Sequence, residues 1–240
     1  MKEGRQINRG IYIAVNGLMS RQMQQDILAE NIANINTPGY KARSYTFSTF
    51  NEALIHSVNK GGVFPIGIMP HSSMLAETRI DFSMGSIMET NAEYDFAILE
   101  DGLFIVETPD GDLYTRAGAF RIDEDGFLVT KEGYRVIGEY DDYIYVENGE
   151  LDQALIVANP RVEFLLRVQD GYYQLLDMQQ ENIVANPQIK RGFLENSNVD
   201  LGQAMSETIE ALRMFQINQR MFLAQDEILK KGANEIGSLR

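Results

Sequence analysis

The C-terminal stretch of this 240-residue chain carries a sustained 3-4 repeat: Leu201, Met205, Thr208, Leu212, Phe215, Gln219, Phe222, Asp226, Leu229, Ala233 and Ile236. Eight of these eleven positions are apolar, the pattern of a coiled-coil seam. A continuous helix from Asp200 to Ile236 would extend about 55 Å at ~1.5 Å per residue. A helix that long cannot bury its stripe against a small domain, so it must meet another long helix, other subunits, or both.

A second amphipathic stretch stands at the opposite end. Ile11, Val15, Leu18, Met19, Met23, Ile27, Leu28, Ile32 and Ile35 recur mostly three or four residues apart, which predicts a helix over about Ile11 to Asn36. Asn36-Thr37-Pro38-Gly39 ends it, because proline cannot continue a helix and disfavours helical geometry in the residue before it. The Thr-, Ser- and aromatic-rich run Lys41 to Phe50 reads as extended or irregular, and Gly61-Gly62, Pro65, Gly67 and Pro70 read as a loop.

Between the flanks, from about Arg79 to Val168, short β-branched and aromatic runs alternate with Asp101-Gly102, Asp110-Gly111, Asp125-Gly126, Glu132-Gly133 and Asn148-Gly149. Such dipeptides suit tight hairpins, so strands are expected at Phe96 to Leu99, Leu103 to Thr108, Leu113 to Ala117, Phe127 to Thr130, Tyr134 to Gly138 and Tyr143 to Val146. The expected fold class is α+β. Long N- and C-terminal helices, within residues 1–40 and 196–240, form a coiled-coil-like stem. An extended or loop linker covers 41–78, and an antiparallel all-β central domain, sandwich or barrel, covers 79–195.

Charge narrows the possible partners. The net charge of −14 and a pI near 4.6 exclude nucleic acid, whose binding needs a basic footprint. Residues 81–150 hold 18 acids against 4 bases, so the whole excess sits in the middle and the flanks balance. Near-neutral ends can pack many copies side by side without accumulating repulsion. The longest apolar runs, Ile11 to Val15 and Ala154 to Ala158, fall far short of the roughly 20 residues that cross a bilayer, so the chain is not expected to span a membrane. Lys2, Arg5 and Arg9 precede an apolar stretch, but Asn16 and Gly17 interrupt it and no small-x-small cleavage site follows closely; no Sec-type signal is expected.

The inventory for chemistry is thin: no cysteine, no tryptophan, and two histidines, His56 and His71. Asp123, Asp125, Gly126 and Glu132 fit four positions of a calcium-binding helix–loop–helix, yet Arg121 occupies the first ligand position and the flanks look like strands, so a hairpin turn is expected. His71-Ser72-Ser73 lacks a nucleophile elbow and reads as a solvated loop. There is no glycine-rich phosphate loop. No catalytic group, cofactor or metal is expected, although two carboxylates of an acidic β domain are all that glycoside hydrolysis requires.

Ala33-Asn34-Ile35-Asn36-Thr37-Pro38-Gly39-Tyr40-Lys41, at the end of the first helix, resembles the signature of the bacterial flagellar rod, hook and hook–filament junction axial proteins. Gly10-Ile11-Tyr12 and Asn16-Gly17-Leu18-Met19 are similar to the family's helix start. Asp81-Phe82-Ser83-Met84-Gly85-Ser86, Asp101-Gly102-Leu103-Phe104, Tyr114-Thr115-Arg116-Ala117-Gly118-Ala119-Phe120, Asp125-Gly126-Phe127-Leu128-Val129-Thr130 and Gly133-Tyr134-Arg135-Val136-Ile137-Gly138 are similar to its middle. Glu195-Asn196-Ser197-Asn198-Val199-Asp200 and Gln216-Ile217-Asn218-Gln219-Arg220 look like its C-terminal helix. Absence of large inserted domains makes the chain look more like a rod protein than a hook protein, most similar to the proximal and distal rod subunits, with the compact length favouring the proximal one.

The resemblance implies a structural subunit exported by the flagellar type III apparatus and polymerised into the basal-body rod, outside the cytoplasmic membrane and periplasmic where an outer membrane exists. Its partners would be other rod subunits and copies of itself. Asn34, Asn36, Thr37, Gly39 and Tyr40 are the signature positions. The expected assembly interface is Ile11, Val15, Leu18, Ile27, Ile32 and Ile35 in the first helix, with Leu201, Met205, Leu212, Phe215, Phe222, Leu229 and Ile236 in the last. Two other readings stay open: a hook or hook-associated protein of the same family, and a flagellum-associated cell-wall carbohydrate hydrolase or binding domain.

Overall fold

With no proline and a broad apolar face, residues Glu3–Ala33 form one helix, α1. It starts well before Ile11 and stops short of the expected Asn36, since residues 34–39 turn back on themselves and leave Ile35 outside the helix. The second helix, α2, covers Leu201–Ser238, matching the C-terminal repeat. The computed structural model describes residues 3–49, 52–59, 62–70, 73–139, 142–147, 150–151, 154–169, 171–177 and 182–238. Gly61, His71, Ser72, Asn148 and Gly149 lie outside them, as do the side chains of residues 3–10, 48–77 and 235–238, Ile236 included.

The chain divides into two units. The first comprises Met1–Ile32, Arg43–Arg79 and Leu201–Arg240, that is α1, α2 and the strands β1 (Arg43–Thr49), β2 (Glu52–Asn59), β3 (Gly62–Pro70) and β4 (Ser73–Ile80). β1 pairs with β4, and β2 with β3 in an antiparallel hairpin. The loop expected over Gly62 to Pro70 is therefore a strand. Glycine and proline break the interior of a sheet, but a two-stranded ribbon has only edges, where a residue lacking an N–H is tolerated; a register shift between Ile55 and His56, opposite Gly67 and Pro65, absorbs the irregularity.

Within this unit α1 and α2 run antiparallel. A Cβ added to Gly17 would lie 3.0 Å from the side-chain nitrogen of Asn218, and Gln24 and Glu207 share a hydrogen-bonding partner, so rising numbers on one helix meet falling numbers on the other. The stripe that α2 buries is Ala204 and Ala211, with Thr208, Phe215, Asn218, Phe222 and Leu229 half-buried.

The second unit, Ala33–Ala42 with Ile80–Asp200, is the β domain. Its strands are β5 (Ile87–Glu89), β6 (Phe96–Ile98), β7 (Leu103–Thr108), β8 (Gly111–Thr115), β9 (Arg121–Ile122), β10 (Leu128–Val129), β11 (Arg135–Val136), β12 (Val146–Glu147), β13 (Glu150–Leu151), β14 (Val157–Ala158), β15 (Leu165–Gln169), β16 (Tyr172–Leu175), β17 (Ile189–Arg191) and β18 (Phe193–Glu195). Eight of them make one antiparallel sheet in the order β15-β16-β8-β7-β11-β10-β9, with β14 also on β7. Small two-stranded ladders, β17 with β6 and β18 with β5, bring the end of the domain back to its beginning.

β7 shows why the domain is stable. Leu103, Phe104, Ile105 and Val106 are all buried; Phe104 and Val106 join one cluster with Phe96, Phe120, Leu128 and Ile144, while Leu103 and Ile105 join another with Tyr114, Ile137 and Tyr173. A central strand covered on both faces reads as a continuous apolar run and not as an alternation.

Candidate functional site: the helix faces and the signature turn

Asn34 to Tyr40 form two successive turns. The Thr37 amide donates to the Asn34 carbonyl at 3.1 Å and the Tyr40 amide to the Thr37 carbonyl at 3.2 Å, while the Thr37 hydroxyl donates to Asn34 Oδ1 at 3.1 Å. Asn36 and Thr37 are exposed; Gly39 and Tyr40 are buried. Gly39 has φ +71°, and a Cβ there would run into the backbone of Arg116 and Ala117, so both conformation and space demand glycine. Its amide donates to the Glu195 carbonyl at 2.8 Å.

Beneath the turn lies an ion cluster that no single motif reveals. Lys41 Nζ donates to Glu195 Oε1 at 2.7 Å, and Arg116 Nε to Glu195 Oε2 at 2.5 Å. The three side chains are 2%, 4% and 2% exposed for Lys41, Arg116 and Glu195. Further donors are used: Lys41 reaches the Ser83 and Phe82 carbonyls, and Arg116 those of Gly102 and Ile98. Burial pulls the Lys41 ammonium below its ordinary value, and Arg116 adds to the effect against the pull of Glu195. Burial pushes the Glu195 carboxyl upward, but Arg116, Lys41 and the Gly85 amide outweigh it and hold it below the ordinary 4.5.

Each residue of the cluster lies in a motif quoted above, Lys41 closing the signature, Arg116 in Thr115-Arg116-Ala117-Gly118 and Glu195 opening Glu195-Asn196-Ser197-Asn198. The only signal in the sequence is a single charge in each of the first two motifs and a carboxylate at the head of the third, which also ends on Asp200. Separations of 79 and 154 residues hide the partnership.

The helix faces belong to the first unit. Of the expected interface residues in the N-terminal stretch, Ile27 is buried, and Ile11, Val15, Leu18, Ile32 and Ile35 are half-buried. In α2, Phe215, Phe222 and Leu229 are half-buried on the inner stripe, whereas Leu201, Met205 and Leu212 are 45%, 54% and 48% exposed. Ile209, Met214, Ile217, Met221, Leu223 and Ile228 are exposed as well, so apolar side chains extend well beyond the inner stripe, leaving a polar strip that includes Arg213, Arg220, Glu227 and Lys231. Its inner stripe is pinned by polar contacts: Gln24 donates to the Tyr45 hydroxyl at 2.7 Å, and that hydroxyl donates to Glu207 at 3.0 Å.

Asp123 to Gly126 make the turn between β9 and β10. Asp123 Oδ1 accepts the amides of Asp125 at 3.0 Å and Phe127 at 2.8 Å, and Arg135 lies across the ring of Phe127 at 4.4 Å and beside both aspartates. Asp123 is thus committed to the turn. No described helix is long and apolar enough to cross a membrane.

Comparison with known proteins covers the same three regions. Residues 11–41 match the profile "Flagella basal body rod protein", residues 97–159 the "Flagellar hook protein FlgE/F/G D1 domain", and residues 190–236 the "Flagellar basal body rod FlgEFG protein C-terminal". The flagellar basal-body rod protein FlgG of Bacillus subtilis is 30% identical over 260 residues, covering 94% of this chain and 98% of that protein. FlgG of Agrobacterium fabrum is 28% identical, covering 92% and 96%, and the rod protein FlgF of Rhizobium meliloti 29% identical, covering 96% and 99%. With a signature turn seated on the β domain, two long terminal helices and end-to-end similarity to rod proteins, the chain belongs to the flagellar basal-body rod protein family.

Proposed function

We propose that this chain is a structural subunit of the bacterial flagellar basal-body rod, polymerising through its terminal helices into a tubular shaft that transmits torque. The observation that carries the assembly role is the circumference of α2. Its own chain covers only the stripe through Ala204 and Ala211, leaving Leu201, Met205, Ile209, Leu212, Ile217, Met221, Leu223 and Ile228 in water. The exposed apolar residues fall on two flanks of the helix, either side of a polar strip that includes Arg213, Arg220, Glu227 and Lys231, and scattered single exposures do not account for two such flanks. Neighbouring copies, with α1 and α2 as the coiled-coil-like stem, cover those flanks. One repeated heterologous contact that does not close on itself builds a helical tube.

The rod, not the hook, is favoured by the names of the relatives quoted above. Export through the flagellar type III apparatus, and a periplasmic position where there is an outer membrane, follow from membership of a rod. The compact length favours the proximal segment. Imaging basal bodies from a strain lacking this chain tests the reading: the rod should stop short, at the level where the subunit enters. Complete rods and hooks in that strain would refute it. Release of soluble fragments from purified peptidoglycan would favour the hydrolase instead.

A further inference from the structure

Hydrogen bonds from the short segment Glu195–Asn198 tie it to two other parts of the β domain. The Glu195 carbonyl accepts the Gly39 amide at 2.8 Å, its carboxylate accepts the Gly85 amide at 2.8 Å, and the Asn196 amide donates to the Ser86 carbonyl at 2.8 Å. Asn198 Oδ1 accepts the Ala42 amide at 2.7 Å, and its Nδ2 donates to the Asp81 carbonyl at 2.8 Å and the Ser83 carbonyl at 3.1 Å. The segment works as a strap across residues 39–42 and 81–86. None of these residues except Phe82, at the margin, belongs to the two apolar clusters that hold the domain together.

The charge under the strap is unbalanced. Lys41 and Arg116 are two buried cations, and Glu195 is the one buried carboxylate that meets both. Asp81 and Asp101 stand nearby but are exposed, where water screens them. Loss of the Lys41 charge leaves a neutral Arg116–Glu195 pair. Loss of the Glu195 charge leaves two buried cations with no buried counterion and the Gly85 amide poorly matched.

We propose that Glu195 gates the docking of the signature turn: the apolar core of the β domain forms without it, and its carboxylate, by neutralising Lys41 and Arg116 together, fastens Gly39–Ala42 and Asp81–Ser86 onto that core. A chain grows from its N-terminus, so Lys41 and Arg116 are present long before Glu195. The signature turn therefore stays loose until the chain has been made almost to its last helix, and the strap closes last. This holds for the β domain whatever the chain assembles with.

Hydrogen exchange on the full-length chain tests it. In Glu195→Gln, the amides of Gly39, Ala42, Gly85 and Asn196 should exchange roughly 100- to 1,000-fold faster, the factor that goes with breaking a buried ion pair, while those of Leu128 and Ile137 stay strongly protected and far slower than these four, losing no more than the stability the strap lent to the whole domain. Lys41→Met should loosen the same four amides far less. Adding Lys41→Met to Glu195→Gln should restore part of the lost protection, because it removes one of the two orphaned cations. Three results would overturn the proposal: protection of Leu128 and Ile137 in Glu195→Gln falling to the level of Gly39, or unfolding of that variant, which makes Glu195 part of the core; unchanged protection at Gly39; or Lys41→Met matching Glu195→Gln.

Discussion

The Tyr45 hydroxyl donates to Glu207 at 3.0 Å while accepting from Gln24 at 2.7 Å, so a strand residue joins the two long helices. Gln24 is only 4% exposed, and Glu207 is held further by Gln203 at 2.8 Å. Ala14, Ser20 and Gln24 of α1 and Ala204 and Ala211 of α2 are buried, and Gly17 meets the Asn218 side chain, so small and polar residues, keyed by hydrogen bonds, line the buried sides of both helices.

Tyr45→Phe should therefore weaken the helix pair selectively. It leaves the Gln24 amide without its acceptor, which costs about 1–3 kcal/mol when the group is buried. Far-UV circular dichroism should show the helical signal melting earlier, with the near-UV signal of the β domain unmoved. An unchanged helical melt would mean that the network carries no stability.

Leu212→Asp should separate stability from assembly. Leu212 is 48% exposed in the single chain, so the charge stays hydrated in the monomer and its melting temperature holds. In a packed rod the same carboxylate would lose its water without a partner, at a cost of several kcal/mol. Normal secretion, an unaltered monomer melt and non-motile cells without the subunit in their rods are expected. A markedly lower monomer melt would place Leu212 in an internal core.

Gly39→Ala should cost more than Gly171→Ala, although the two glycines have φ of +71° and +77°. The left-handed backbone penalty, about 1–2 kcal/mol, is common to both. Only at Gly39 does the new methyl also meet backbone, that of Arg116 and Ala117; at Gly171 nothing lies within 4 Å. Urea unfolding of the two variants measures the difference, and equal midpoints would show that the turn yields freely.

Acid should destabilise the β domain through Glu195. Its carboxyl is held below 4.5 in the folded state, so the unfolded chain binds the proton more readily; stability is full above 4.5 and falls as pH drops through the folded value. Urea midpoints between about pH 7 and about pH 3 should fall more steeply for the parent than for Glu195→Gln. Parallel curves would remove the carboxylate from the account.

Calcium should find no saturable site at Asp123, Asp125 and Glu132. Asp123 already accepts two backbone amides, and Arg135 stands beside it and Asp125. Titration calorimetry across about 10⁻⁷ to 10⁻⁵ M, the range of sensor loops, should give only heats of dilution. A stoichiometric isotherm abolished by Asp125→Asn would reverse the assignment.

Local pattern made both helices and six of the fourteen described strands of the central domain, each at least in part, legible in the residues alone. The 3-4 repeat and the run from Leu103 to Thr108 report periodicity and burial within a few residues, and the turn at Asp125-Gly126 reports a backbone requirement of its own. The end of α1 and the strand Gly62–Pro70 were less legible, because breakers mark where a regular element becomes costly and not where an edge or a bulge tolerates it.

Tertiary structure decided which stripe of α2 faces its own chain and which faces outward. The sequence shows Leu201, Met205 and Leu212 in one repeat with Phe215, Phe222 and Leu229, yet Ala204 and Ala211 are what the fold buries, on the same side of α2 as Asn218, whose side chain meets Gly17 of α1. It also decided the partnership of Lys41, Arg116 and Glu195. A charge in a sequence carries no address: solvation makes it indifferent to its position until folding removes the water, and only then does one carboxylate 154 residues away from a lysine become the group that lets both stay buried.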